Sequence, residues 1–303
     1  MLATSRSADA ARAAVSAAAA FGVTGVEPAI LADSANVIVH LAPSPLVAKV
    51  AASTTAVRPD VDAWLGRELD LACFLTAAGA PVMKPSAEVP AEVRRADGLP
   101  MSFWTYLSPS DAGPPDEATI GSMLRDLHAV LRTYPAPLPP LAPLADIPAF
   151  LDRRQTSPAS QTLVSAADAL VLAETFSRLT GELAAASVNT PVQALHGDAG
   201  AGNLMATGGQ WVWHDFEDTC SGPVAWDLAA TTASPRFERA RILAAYSDGV
   251  DVGDGADQAG DAQLRACEQL RRLHLTIWYA LYAGRLQDCR QRAAELLASW
   301  RTA

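Results

Sequence analysis

The sequence holds almost no lysine. Lys49 and Lys84 are the only two in 303 residues, although Lys and Arg together number 23. Asparagine is nearly as scarce, at Asn36, Asn189 and Asn203. Where a cation or an amide merely decorates the surface this chain uses other residues, so the few that occur mark positions to inspect. Four cysteines (Cys73, Cys220, Cys267 and Cys289) stand far apart with no paired spacing. That argues against a disulfide framework or a zinc site and for reduced thiols in a cytoplasmic protein. No apolar run approaches the ~18 residues of a membrane span, so no membrane partner is expected. A long basic tract is missing too. Acids outnumber bases 33 to 23 for a formal charge of −10, which argues against a nucleic-acid partner.

What is present is enough for a sizeable core: half of the residues are hydrophobic, which excludes global disorder. About one residue in five is alanine, the strongest helix former. The alanine-rich start carries Arg6, Asp9 and Arg12 and lacks a leucine-rich centre, so it reads as an amphipathic or surface helix rather than an export signal. A β-branched run from Asn36 to Leu41, turn chemistry over Ala42 to Pro45 and a second run from Leu46 to Val50 predict a hairpin. Asp60 to Ala78 has Trp64, Glu68, Ala72 and Leu75 at helical spacing. Two strands, Ala91 to Ala96 and Leu99 to Leu107, flank the turn Asp97-Gly98. Beyond Ser108 the pattern is helical (116–133, 146–154, 159–187 and from Ala225 on), broken by a β-rich island from Gln193 to Phe216. The expected fold class is α+β: a small antiparallel sheet lobe over residues 1–106 and a larger, mainly helical lobe over 107–303.

The island carries the chemistry. Asp198 and Asn203 lie five apart across a loop of alanine and glycine. A strand from Asn203 to Ala206, the turn Gly208-Gly209 and a strand from Trp211 to Asp215 then return the chain. Two carboxylates and an amide oxygen converging in this way suit a hard divalent cation such as Mg²⁺. The spacing His196-Gly197-Asp198 with Asn203, followed by Asp215-Phe216-Glu217, reproduces the catalytic and metal motifs of protein kinases. With the later Trp226-Asp227-Leu228-Ala229, the stretch resembles the aminoglycoside phosphotransferase and choline kinase group of the protein-kinase-like fold.

That resemblance implies a two-lobed, ATP- or GTP-dependent O-phosphotransferase acting on a small hydroxylated acceptor. By matching position Asp198 would be the catalytic base, and Asn203 and Asp215 would hold Mg²⁺. Lys49, oriented by Glu68, would neutralise nucleotide phosphates. Ser34, in the turn before Asn36, and the hinge residues Thr105, Tyr106 and Leu107 would bind the rest of the nucleotide. Asp227 would brace the catalytic loop. The sequence departs from the pattern in two places: no G-x-G-x-x-G precedes Lys49, and the loop Ala199-Gly200-Ala201-Gly202 lacks the histidine or lysine that many relatives carry there.

Simpler readings stand beside these. Alone, Lys49 would be a surface lysine and Glu68 a solvated helix residue. His196 reads as a loop brace, His214 as a satisfied strand histidine, His128 as packing, and Trp211 and Trp213 as core. His274, Trp278 and Tyr282 make a helix stripe that reads as core, with a wall of the acceptor pocket as its other role. The acidic run Asp248, Asp251, Asp254, Asp257 and Asp261 would suit a polycationic acceptor but is ordinarily a solvated loop. Two other functions compete with the kinase: a non-catalytic nucleotide-binding module, and a metallohydrolase built on His196, Asp198, His214 and Asp215. Aminoglycosides, other antibiotics, amino alcohols and sugars all remain open as acceptors, as does the oligomeric state.

Overall fold

The computed structural model describes residues 5–56, 58, 60–154, 163–248, 260–283 and 287–302. The chain forms two compact units, Met1–Pro114 with Gly202–Thr219, and Pro115–Ala201 with Cys220–Ala303.

In the first unit, strands β1 (Glu27–Asp33), β2 (Val37–Ala42), β3 (Leu46–Val50), β4 (Arg94–Ala96) and β5 (Leu99–Thr105) make one antiparallel sheet. Its order is β1-β2-β3-β5-β4. Strand β2 alternates strictly: Val37, Val39 and Leu41 are buried while Ile38 and His40 are half-buried. Helix α1 (Ser5–Ala19) lays Ala10, Ala13, Ala14 and Ala17 against the Val37–Val39–Leu41 face. Its amphipathic character is thus realised by methyl groups small enough for close packing on the sheet. Helix α2 (Val61–Ala77) covers the opposite face with Leu69 and Ala72 against Val47 and Trp104. The register sets Lys49 between Ile38 and Ser102.

Two details of this unit differ from the sequence expectation. Strand β1 carries no alternation signal: it is a sheet edge with Pro28 in it, and its first three residues are exposed. Strand β4 is three residues long rather than six, and β5 ends at Thr105. Of the β-rich island, strand β6 (Gln193–Leu195) is in the second unit, but β7 (Leu204–Thr207) and β8 (Gln210–Trp213) belong to the first, turning on Gly208 and Gly209 at φ of 56° and 81°. Two adjacent positive φ values are what a two-residue type I′ turn requires. Trp213 is fully buried and exchanges backbone hydrogen bonds with Pro81 (2.9 Å) and Met83 (2.8 Å), whereas Trp211 is only half-buried.

The second unit is helical: α3 (Glu117–Leu131), α4 (Asp146–Arg154), α5 (Ala166–Ala186), α6 (Ala225–Thr231), α7 (Arg239–Ser247), α8 (Asp261–Tyr282) and α9 (Gln287–Trp300). One short antiparallel pair joins β6 (Gln193–Leu195) to β9 (Cys220–Gly222). The expected helix over 159–187 starts in the described chain only at Ala166, because Ser165 and Asp168 cap it reciprocally. Residues 159–162 lie outside the described residues. Helix α8 is the axis of this unit, burying Leu264, Cys267, Leu270, Leu273 and Ile277. Its stripe is core: His274 and Trp278 both bond Asp146 of α4 at 3.1 Å, and Trp278 stacks on Tyr282.

Helices α3 and α7 touch at Gly121. A Cβ there would sit 2.4 Å from the Ile242 carbonyl oxygen and 2.7 Å from the Ala245 Cβ. Gly121→Ala therefore has to push the helices apart. It is expected to destabilise the protein by about 1–3 kcal/mol, read as a lowered Tm in thermal unfolding, despite alanine's better helix propensity. An unchanged or raised Tm would contradict this packing.

Candidate functional site

Lys49 projects from β3 into a carboxylate cluster inside the first unit. Its Nζ lies 2.9 and 3.0 Å from the two Glu68 oxygens, 2.6 Å from Asp215 and 3.0 Å from Glu217. Lys49 and Glu68 are both nearly inaccessible, at 6% and 1% exposure. Glu68 reaches it because its helix position faces the sheet one turn after Trp64 and one turn before Ala72. Asp215 reaches it by a different route. Strand β8 stops at Trp213, two residues earlier than expected, and Asp215 adopts a left-handed backbone at φ 63° and ψ 59°. The chain then turns through Phe216–Asp218, a single 3₁₀ turn that packs beside α2.

Glu217 has a second set of partners. Arg58 bonds it at 2.9 Å and bonds Asp218 at 2.5 Å, while Asn36 donates to it at 2.6 Å. Arg58 is 2% exposed and its guanidinium lies 3.5 Å from the centre of the Trp64 ring. Asn36 in turn accepts a hydrogen bond from Thr54 Oγ1 at 2.7 Å. Glu217 thereby joins the turn before β2, the amine of β3 and the loop after it.

The charges in this cluster do not balance. Two cations, Lys49 and Arg58, face four carboxylates: Glu68, Asp215, Glu217 and Asp218. Burial opposes charge on the Lys49 amine, but Asp215, Glu217 and Glu68 outweigh it and hold its pKa well above the ordinary lysine value. Burial, with the negative charges of Asp215 and Glu217, pushes the Glu68 carboxyl up to about 8 against the pull of Lys49. The cluster's one half-exposed member is Asp215, at 46% side-chain exposure.

Lys49, Glu68 and Asp215 line a cleft of about 530 Å³, whose walls also include Ser34, Asn36, Thr105, Tyr106 and Leu107. The structure therefore gathers every nucleotide-site residue expected from sequence in the first unit around one cavity. Asn203 is half-buried and its carbonyl accepts the His214 N–H at 3.0 Å, adjacent in the chain to Asp215.

Asp198 belongs to the second unit, where its loop is held from several sides. Asp227, fully buried on α6, accepts the backbone N–H groups of His196 (2.8 Å) and Gly197 (2.9 Å). His128 donates to the same carboxylate through Nε2 at 2.9 Å, leaving Nδ1 to accept the Tyr246 hydroxyl at 2.8 Å. The Trp226 indole donates to the Gly197 carbonyl at 2.8 Å, and Thr231 donates to that of Ala199 at 2.8 Å. His196 is a loop brace, as expected: it is fully buried and its Nδ1 accepts the Asp198 N–H at 3.3 Å. His128 does more than pack, since it completes the Asp227 bracket. Arg271 of α8 also reaches this loop, donating to the Gly197 carbonyl at 2.9 Å and pairing with the Asp198 carboxylate. Sequence reading missed Arg271, yet a signal was there: it is the one charge in an apolar stripe with Cys267, Leu270 and His274.

Burial disfavours the charge on Asp227, but the His128 hydrogen bond and the His196 backbone outweigh it and hold its carboxyl below the usual range. Stability from this group is present above the unfolded aspartate value, ~3.9, and is lost as pH falls through the lower folded value. Asp227→Asn sets an amide against two backbone N–H donors and one imidazole N–H. It is expected to destabilise by about 1–3 kcal/mol, measured by chemical denaturation at pH 7. A stability change near zero would remove Asp227 as the bracket of the loop.

Among the described residues no group of three or more His, Cys, Asp and Glu is placed to hold a metal ion. The four-residue His/Asp cluster of the metallohydrolase reading does not form. None of the four cysteines is in a disulfide among the described residues, and no described helix is long and apolar enough to cross a membrane.

Comparison with curated proteins finds no match to this sequence. Solved structures do match in fold. A choline/ethanolamine kinase family protein from Mesorhizobium loti aligns with TM-score 0.59 and 18% identity, over 98% of this chain and 94% of the other. An amicoumacin kinase in complex with AMP-PNP and Ca²⁺ aligns with TM-score 0.64 and 14% identity, over 91% and 88%. An aminoglycoside-3'-phosphotransferase of type VIII gives 0.59 and 17%, over 89% and 100%. The fold is protein-kinase-like, with the small sheet and the helical remainder expected from sequence. The model of the phosphotransferase enzyme family matches residues 26–267, most of the chain. On that match the chain belongs to the phosphotransferase enzyme family.

Proposed function

We propose that this phosphotransferase is a small-molecule kinase that moves the γ-phosphoryl group of ATP or GTP to the hydroxyl of a small organic acceptor. The observation that carries this reading is Lys49, buried and triply paired with Glu68, Asp215 and Glu217 at the wall of a cleft large enough for a nucleotide. Ser34 and the segment Thr105–Leu107 border the same cleft, so nucleotide phosphates would meet Lys49 while the base lies against the hinge strand.

Mg²⁺ fits the donor set, because Asp215 and Asn203 offer hard oxygens beside a cluster with two more carboxylates than cations. When bound, the ion would neutralise phosphate charge. The protein's own share is positioning. Lys49 is fixed by Glu68 and Glu217, so it meets a phosphate oxygen without losing rotamer freedom at that moment. Asp198, anchored by the Asp227 bracket, would accept the hydroxyl proton or align the hydroxyl for attack.

The deciding experiment is Mg²⁺-dependent ADP and GDP release across aminoglycosides, other antibiotics, amino alcohols, sugars and hydroxy acids. Release that requires one acceptor identifies a kinase. Nucleotide binding with no acceptor-dependent release from any of them would favour the non-catalytic module.

A further inference from the structure

A cavity of about 530 Å³ opens beside Asp198 within the second unit, and its charges are unlike those of a site for a cation. Three arginines, Arg239, Arg271 and Arg272, line it with only two acids, Asp198 and Glu268. Each acid is already engaged: Asp198 with Arg271, and Glu268 with Arg239. Arg272 is the cation left over. It is half-buried, its Nη2 donates to Ser299 Oγ at 2.5 Å, and its guanidinium lies 4.6 Å from the centre of the Trp300 ring. No carboxylate among the described residues pairs with it.

The rest of the wall says what the cavity does not receive. Ala229, Ala230 and Ala233 leave room rather than contacts, and no aromatic side chain lines it among the described residues. An ammonium or quaternary ammonium group would need an aromatic face or a free carboxylate, and neither is offered. A polyamine would meet three guanidiniums. Of the acidic run named above, Asp251, Asp254 and Asp257 lie outside the described residues.

We propose that the acceptor is a hydroxylated organic anion, whose carboxylate or phosphate pairs with Arg272 while its hydroxyl faces Asp198. This rests on the kinase reading of Asp198. A planar guanidinium stacked on an indole is preorganised for two parallel hydrogen bonds to such an anion. In the transfer the acceptor oxygen forms a bond to the γ-phosphorus and the bond from that phosphorus to the β-bridging oxygen breaks. The hydroxyl proton passes to Asp198, and the nucleoside diphosphate leaves with the bond pair.

The test is a selectivity ratio. Nucleoside diphosphate release is measured with hydroxy acids and sugar phosphates, each beside its neutral amide or unphosphorylated sugar, and with aminoglycosides and amino alcohols. The wild-type protein should prefer the anion over its neutral partner in kcat/KM by about 10- to 100-fold, the weight of a charge-assisted pair. Arg272→Met should bring that ratio near one, and Arg272→Lys should recover part of it. Whichever anion class turns over distinguishes carboxylate from phosphate. Preference for a cationic or neutral acceptor, or a ratio unchanged in Arg272→Met at an unaltered Tm, would overturn the proposal while leaving the kinase standing. Release with no acceptor at all, equal in Asp198→Asn, would instead overturn the kinase reading itself.

Discussion

Asp198→Asn is expected to lower kcat by about 10²–10⁴-fold while nucleotide affinity stays within a few-fold of wild type. The replacement keeps the shape of the side chain and removes its ability to take a proton. The fold should survive. The Asp198 side chain is 45% exposed, and its loop is also held by Asp227, Trp226 and Thr231. Arg271 loses its ionic partner but keeps the Gly197 carbonyl at 2.9 Å and lies 5.1 Å from the centre of the Trp226 ring. Steady-state turnover beside nucleotide titration makes the distinction: full activity in the variant would take Asp198 out of the mechanism.

Asp215→Asn should act on the cleft of the first unit. Asn is among the few residues that accept a left-handed backbone, so the φ of 63° is no obstacle to folding. What goes is one charge, the half-exposed one facing the cleft. Changes even in the residues that support a metal's ligands weaken binding by roughly 10- to 100-fold, and loss of a direct ligand should do at least as much. Nucleotide affinity in Mg²⁺ is therefore expected to fall by at least about 100-fold, and Mg²⁺ is expected to raise the Tm of the wild-type protein but not that of the variant. Calorimetric titration of nucleotide with and without Mg²⁺ reads this directly. Equal affinities in the two proteins would sink the assignment of the ion to Asp215.

Both predictions concern residues that could be read from the sequence, and the reason is local. His196, Asp198, Asn203, Asp215 and Asp227 fall within one short stretch, where spacing alone constrains what can meet. Lys49 and Glu68 are nearly as close, a strand and a helix apart, and the scarcity of lysine drew notice to the first. The illegible parts depend on distant partners. Arg58 is 159 positions from Glu217, and Arg271 is 73 from Asp198. Nothing in a window around Arg58 distinguishes it from the surface arginines that this chain uses freely. Strand β1 escaped for another reason: an edge strand with a proline and solvent on its first residues has no alternation to find. His214 and Asp215 were expected on a strand, and the early end of β8 reflects the left-handed turn, which no propensity announces.

The 18 residues from Gly202 to Thr219 fold with a sheet whose other residues end at Pro114. No single cut in the sequence can therefore separate the two units. A fragment ending at Pro114 would part Lys49 from Asp215 and Glu217, part Arg58 from Glu217 and Asp218, and leave Pro81 and Met83 without the strand of Trp213. During synthesis the first unit stays incomplete until the ribosome has passed Thr219, with helices α3, α4 and α5 of the second unit already made. Closing so long an intervening stretch costs entropy before any contact repays it. The last part of the first unit to form is thus the part that carries Asp215 and Glu217. A nascent chain would acquire its sheet first and the carboxylates beside Lys49 last.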